Sequence, residues 1–342
     1  MSLVLVTGGS GFIAGHCILQ LLERGHRVRT TVRWSSREAG VRAALARAGM
    51  TRGDALDVLE ADLMKDDGWA AATRGADFVL HVASPVPIGR VKDDDDVIVP
   101  ARDGALRVLR AAHDAGVKQC VLTSAFHAAG FGHAHPHGVF TEDDWSPLDG
   151  PGVDAYGKSK ILSERAAWDF ARSHSGLELT TILPVAVMGP VMGENVSGAN
   201  HIVQRILDGR MPGYPNLYVP IVDVRDVAAA HVAAMTADGA AGERFLLAGD
   251  APAMAMKQIG ALLREHFGEA ARKAPTRTIP DLVVRLAARV NPEFRSVAAD
   301  LNVVKDVCTD KARRILGVRP RPSREAILAA AESMLARSLV TP

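Results

Sequence analysis

Short apolar runs alternate with helical patterns through the first half of the chain. Leu3 to Val6 reads as a buried strand. Ile13, Cys17, Leu21 and Leu22 then share one face of a helix predicted from about Phe12 to Arg24, and Gly25 stands where a helix stop is expected. The same reading predicts strands at Arg27 to Val32, Leu56 to Glu60, Phe78 to Val82, Lys118 to Thr123 and Leu177 to Leu183. It predicts helices at Ala43 to Ala48, Asp93 to Ala115 and Asp154 to His174. Alternation of this kind implies parallel βαβ units. After Pro184 the pattern loosens. Glycine and proline cluster between Met188 and Gly213, followed by helical patterns at Val224 to Met235 and Ile327 to Arg337 and a strand-like run at Arg244 to Leu247. The expected fold is α/β, a Rossmann-type doubly wound parallel sheet over residues 1–185. A smaller C-terminal substrate lobe over residues 186–342 is expected to interleave partly with it.

Composition narrows the partners. A chain of 342 residues gives about two domains at roughly 150 residues each. With 48% hydrophobic and 23% charged residues it is ordinary for a globular protein. A net charge of +1 supplies no bulk field for nucleic acid or an anionic membrane. No apolar run approaches the roughly 20 residues of a membrane span, and no leader-like pattern opens the chain. The expectation is a cytoplasmic protein, monomer or homodimer. Cys17, Cys120 and Cys308 lie far apart, without disulfide or zinc spacing, and are expected as reduced thiols. The acidic run Asp93 to Asp96 suits a solvated helix start rather than a metal site. His127, His133, His135 and His137 crowd one loop, but no cysteine or carboxylate completes a site, so no metal is expected. A loop over the pocket is the better reading, with His127 a candidate to assist proton transfer.

The first strand runs into Gly8-Gly9-Ser10-Gly11, and a helix starts directly after. Glycines there allow a sharp turn and let a pyrophosphate approach backbone N–H groups at the positive end of the helix. The second strand ends at Arg33, with Arg37 close behind and no acid between them. An NAD site usually places Asp or Glu at that position to accept from the ribose 2′-OH. Two guanidinium groups suit a 2′-phosphate instead, so NADP(H) is expected over NAD(H).

Tyr156 and Lys160 are four residues apart, on one face of a predicted helix. A phenol is too weak an acid for efficient proton transfer at neutral pH, and a nearby ammonium is expected to lower its pKa. Lys158 falls on another face.

The spacing Gly8, Gly11, Ala14, together with Tyr156-x-x-x-Lys160, resembles the extended short-chain dehydrogenases/reductases. The stretch from Val6 to His16 resembles their dihydroflavonol-reductase-like branch, which includes methylglyoxal and aldehyde reductases. The resemblance implies an NADPH-dependent reduction of an aldehyde or ketone, reversible as alcohol oxidation. Tyr156 would donate the proton and Lys160 would hold the nicotinamide ribose. The cofactor would lie along Gly8, Gly11, Phe12, Ile13, Arg33 and Arg37. It would continue past Asp62 and Leu63 to Val82, Ala83 and Ser84, and end near Pro184 and Val187. Asp223 to Asp226 resembles a segment read here as a structural charged network.

One departure stands out. The family places a catalytic serine at the end of the fifth strand, where this chain has Thr123-Ser124-Ala125-Phe126, with alanine at the serine position. Ser124 is a candidate to supply the hydroxyl, although adjacent residues of an extended segment point to opposite sides. The alternatives are a weakened catalyst or an idle NADP(H)-binding regulatory protein. Ala125→Ser would raise kcat, unless the site is built around alanine. Phe126, Val86, Met188, Met192, His201 and Tyr214 are candidates for an apolar pocket wall, which would suit a small hydrophobic aldehyde or ketone.

Overall fold

The computed structural model describes residues 1–85, 93–134, 138–250, 252–291 and 293–341. Its central sheet takes six strands from residues 1–185: β1 (Leu3–Val6), β2 (Arg27–Val32), β3 (Leu56–Glu60), β4 (Phe78–His81), β5 (Gln119–Thr123) and β6 (Glu178–Pro184). Four short strands follow: β7 (Ala186–Met188) beside β9 (Ile221–Asp223), and β8 (Tyr218–Val219) beside β11 (Met254–Ala255). The seventh strand of the main sheet, β10 (Arg244–Leu247), comes from late in the chain. The order is β10-β6-β5-β4-β1-β2-β3, and every pair is parallel. Helices cover both faces, so Val4, Leu5 and Val6 are all fully buried, and the strand reads as an unbroken apolar run.

The order reverses between β1 and β4. In such sheets ligands bind beyond the C-terminal strand ends at that switch point. The helix α1 (Phe12–Glu23) packs Ala14, Cys17, Ile18, Leu21 and Leu22 into a core shared with a late helix at Val224–Ala234. The opposite face is closed by helices at Asp95–Asp114 and Ala155–Ser173, whose Val108, Leu109, Ala167 and Phe170 pack with Leu5 and Val79. A separate apolar core holds the C-terminal lobe, around Val203, Ile206, Tyr214, Ile259, Leu263 and Ile327. Residues after 186 nonetheless return strand β10 to the sheet and the Val224–Ala234 helix to its covering layer.

The expected helix at Ala43 to Ala48 starts earlier, at Glu38, and ends at Arg47. Arg42 donates to Glu38 at 2.8 Å in its first turn, and only Val41 and Leu45 of this helix are buried, a stripe too narrow to mark the start. The expected charged network is present: Arg225 pairs with buried Asp223 at 2.7 Å and with Glu325 at 3.0 Å, and Arg321 pairs with Asp226. No described helix is long and apolar enough to cross a membrane.

Candidate active site

A cleft of about 940 Å³ opens at the switch point and runs between the sheet and the C-terminal lobe. Gly8 takes φ +73°, and a Cβ there would lie 2.9 Å from the Ala83 Cβ. The helix α1 begins at Gly11 with no side-chain cap, so its first N–H groups are left for a ligand. A Cβ on Gly11 would stand 3.0 Å from the Gly8 carbonyl oxygen, in the same cradle. Thr7 ties the two strand ends together. Its hydroxyl accepts from Val82 N at 3.0 Å and Ala83 N at 2.9 Å, and lies 2.9 Å from His81 Nδ1. Burial pushes His81 down to about 3, so the ring is neutral and Nδ1 accepts the Thr7 proton.

Every residue expected along the cofactor lines this one cleft: Gly8, Gly11, Phe12, Ile13, Arg33, Arg37, Asp62, Leu63, Val82, Ala83, Ser84, Tyr156, Lys160, Pro184 and Val187. Arg33 approaches Asp62 at 3.8 Å and lies over Trp34, its guanidinium carbon 5.2 Å from the ring centroid. Sequence reasoning missed Ser10, Trp34, Leu217, Val219, Asp300 and Lys305 on the wall. The last four come from loops and short strands of the C-terminal lobe, where no periodicity marks them.

The helix α5 (Ala155–Ser173), numbered after α2 (Glu38–Arg47), α3 (Trp69–Thr73) and α4 (Asp95–Asp114), starts at Asp154. The Asp154 carboxylate accepts from Gly157 N at 2.8 Å, a conventional cap. Tyr156 and Lys160 lie on successive turns and both face the cleft. The Lys160 ammonium lies 5.5 Å from the Tyr156 ring centroid and donates to Ser84 Oγ at 3.0 Å. Lys158 instead pairs with Asp94 at 2.7 Å and braces α5 against α4.

The electrostatics correct one expectation. The ammonium does not pull the phenol down. Burial, with Asp154 adding to it, pushes Tyr156 up to about 12. Its side chain is 45% exposed, but that area opens on the cleft. Burial also lowers Lys160 to about 8. Both groups therefore carry their protons at neutral pH.

Ser124 lines the same cleft, with its hydroxyl already engaged. Its hydroxyl donates to Glu164 Oε2 at 2.5 Å. Glu164 is fully buried and also accepts from Thr181 at 2.9 Å and Arg244 Nε at 2.8 Å. Ser124 is thus spent on tying strand ends to α5, while Ala125 faces the cleft without a hydroxyl.

The expected pocket wall needs revision. Phe126 lines the cleft; Met188, Met192, His201 and Tyr214 do not. Met188 and Tyr214 are fully buried in the C-terminal core, and Tyr214 fills the space a side chain on Gly260 would need. Met192 packs against Gly15, and His201 is exposed and bonded to Gln204. Val86, His135 and His137 lie outside the described residues. Among the described residues no cluster of three His, Cys, Asp or Glu side chains could hold a metal.

A glycine turn at the switch point and a Tyr–Lys pair facing it define a dinucleotide-dependent dehydrogenase or reductase. Residues 4–248 match the NAD dependent epimerase/dehydratase family, and the chain belongs to it, among the extended short-chain dehydrogenases/reductases. It is an oxidoreductase of that NAD(P)-dependent family. Cinnamoyl-CoA reductase 1 of Arabidopsis thaliana is 37% identical over 248 residues, covering 72% of this chain and 70% of that one. Dihydroflavonol 4-reductase of Zea mays is 29% identical over 273 residues, covering 78% and 74%. The yeast methylglyoxal/isovaleraldehyde reductase complexed with NADPH shares the fold with a TM-score of 0.79 at 24% identity, over 99% of this chain and 100% of that one.

Proposed function

We propose that this chain is an NADPH-dependent carbonyl reductase acting on small hydrophobic aldehydes or ketones. The observation that carries the reading is that Tyr156 and Lys160 open onto the same cleft as the glycine turn. The turn at Gly8 and Gly11 and the uncapped start of α1 would hold the pyrophosphate. Arg33 and Arg37, with no acid at the end of β2, favour a 2′-phosphate over a free ribose hydroxyl. Nicotinamide, when bound, supplies the hydride.

The protein supplies the proton. Tyr156, protonated at neutral pH, donates to the carbonyl oxygen and passes its proton as negative charge develops there. Lys160, held by Ser84, would hold the ribose. Phe131, Val187, Leu217, Val219 and Val303 make the wall mostly apolar, which supports a hydrophobic substrate. The carbonyl substrates named for the plant and yeast relatives support the same class.

Ala125 favours a second reading, an NADP(H)-binding regulatory protein without turnover. One experiment separates the two: NADPH absorbance followed against a panel of aldehydes and ketones, beside a direct NADPH binding measurement. Consumption supports the reductase; tight binding without consumption supports the regulator.

A further inference from the structure

His127 stands inside a row of four side chains. Its ring lies parallel to Phe131, with centroids 4.1 Å apart and planes at 6°. It meets Tyr156 edge-on, at 5.0 Å and 84°. The Lys305 ammonium sits 3.5 Å from the Phe131 centroid. A ring stacked at 4.1 Å fills one face of Phe131, so the ammonium takes the other. Lys305 is buried and donates to Asp300 at 2.7 Å. Its loop is fastened on both sides: Asn302 N donates to Asn216 O at 2.8 Å, and Cys308 N to Phe140 O at 2.8 Å. The order Lys305, Phe131, His127, Tyr156 therefore fixes the imidazole plane without any hydrogen bond to it. Among the described residues, neither ring nitrogen of His127 has a hydrogen-bond partner.

His127 is also in the right place along the chain. Ala125 is extended, at φ −155° and ψ 155°, and Phe126–Ala128 follow as a single 3₁₀ turn. Phe126 packs edge-on against Phe131 and Phe140, while Ala125 and His127 both line the cleft. Burial, with the charges of Lys305 and Lys160, pushes the imidazole down to about 3. The ring is thus neutral and carries one N–H, the form in which an imidazole can polarise a carbonyl without surrendering a proton.

We propose that His127 donates this N–H to the substrate carbonyl oxygen, in place of the hydroxyl missing at Ala125. With Tyr156 it completes a two-donor site. The inference rests on the reductase reading and adds a residue to it.

The test measures kcat, aldehyde KM and NADPH Kd for the parent protein, His127→Ala, Ala125→Ser/His127→Ala and Tyr156→Phe. Loss of one such donor lowers rates roughly 10²–10³-fold in other enzymes. The same loss of kcat is expected for His127→Ala, with NADPH Kd within about twofold of the parent. The added serine should recover at least about tenfold of it, because it restores a donor without restoring the stack. A His127→Ala enzyme with parental kcat overturns the proposal. So does a loss the serine does not relieve, which assigns His127 to packing. If His127→Ala does not fold, His127→Gln keeps an N–H donor and should retain kcat within about tenfold; a Gln variant with a 10²-fold loss again overturns it. Parental turnover in Tyr156→Phe would instead defeat the reductase reading, so the two failures are distinct.

Discussion

The Ser124 hydroxyl donates to Glu164 Oε2 at 2.5 Å, inside a network that joins β5, β6, β10 and α5. That bond gives the serine nearest the missing catalytic position a structural task. Ser124→Ala should cost about 1.5–3 kcal/mol of stability, the usual worth of a hydrogen bond to a charged group. It should leave kcat within about threefold. Urea unfolding and steady-state kinetics on the same protein check both; a 10²-fold fall in kcat with unchanged stability would return Ser124 to the chemistry.

Glu164 pairs with Arg244, whose guanidinium carbon also lies 3.7 Å from the Trp145 ring centroid. Both partners are buried, so removing the carboxylate strands a buried cation. Glu164→Ala should lose about 3–5 kcal/mol. The urea midpoint should drop accordingly; a midpoint equal to the parent's would show that the pair contributes nothing.

Several buried histidines give the fold a pH dependence. Burial holds His16 and His231 at about 4 and His81 at about 3, against 6.5 for a free imidazole. As pH falls below about 6.5 the unfolded chain binds protons at these rings and the folded chain does not. Stability is therefore complete above that pH and declines as pH falls toward the folded values. Tm should fall steadily between pH 7 and 5.5. A flat Tm across that window would mean the rings titrate normally in the fold.

Arg33 and Arg37 line the adenosine end of the cleft in this reading. Charge-assisted hydrogen bonds worth about 1.5–3 kcal/mol convert to roughly 10–10²-fold in binding. Arg33→Ala and Arg37→Ala should each lower kcat/KM for NADPH by that order while barely changing NADH. Equal losses with both coenzymes would remove the arginines from 2′-phosphate recognition.

The sheet and the dinucleotide turn were readable because their signals are local. Val4 to Val6, the glycines at 8 and 11, and the helix beginning at Phe12 lie within a few residues of one another. Tyr156 and Lys160 were readable for the same reason. What the sequence hides is long-range. Nothing near Ser124 announces that Glu164 and Arg244 will claim its hydroxyl. The far wall, with Leu217, Val219, Asp300 and Lys305, comes from irregular segments with no period. Tyr214 and Met188 looked like wall residues, yet they serve the core of the C-terminal lobe. The high phenol pKa was equally hidden, since it follows from how protein surrounds Tyr156 and from the nearby Asp154 carboxylate.

The central claim is that Tyr156 delivers the proton to a carbonyl reduced at NADPH's expense. Its most direct measurement is single-turnover NADPH oxidation by the parent protein and Tyr156→Phe, with an aldehyde the parent consumes. The account predicts a rate at least about 10²-fold lower in the variant, with NADPH still bound. Oxidation at the parental rate without the phenol oxygen would contradict it.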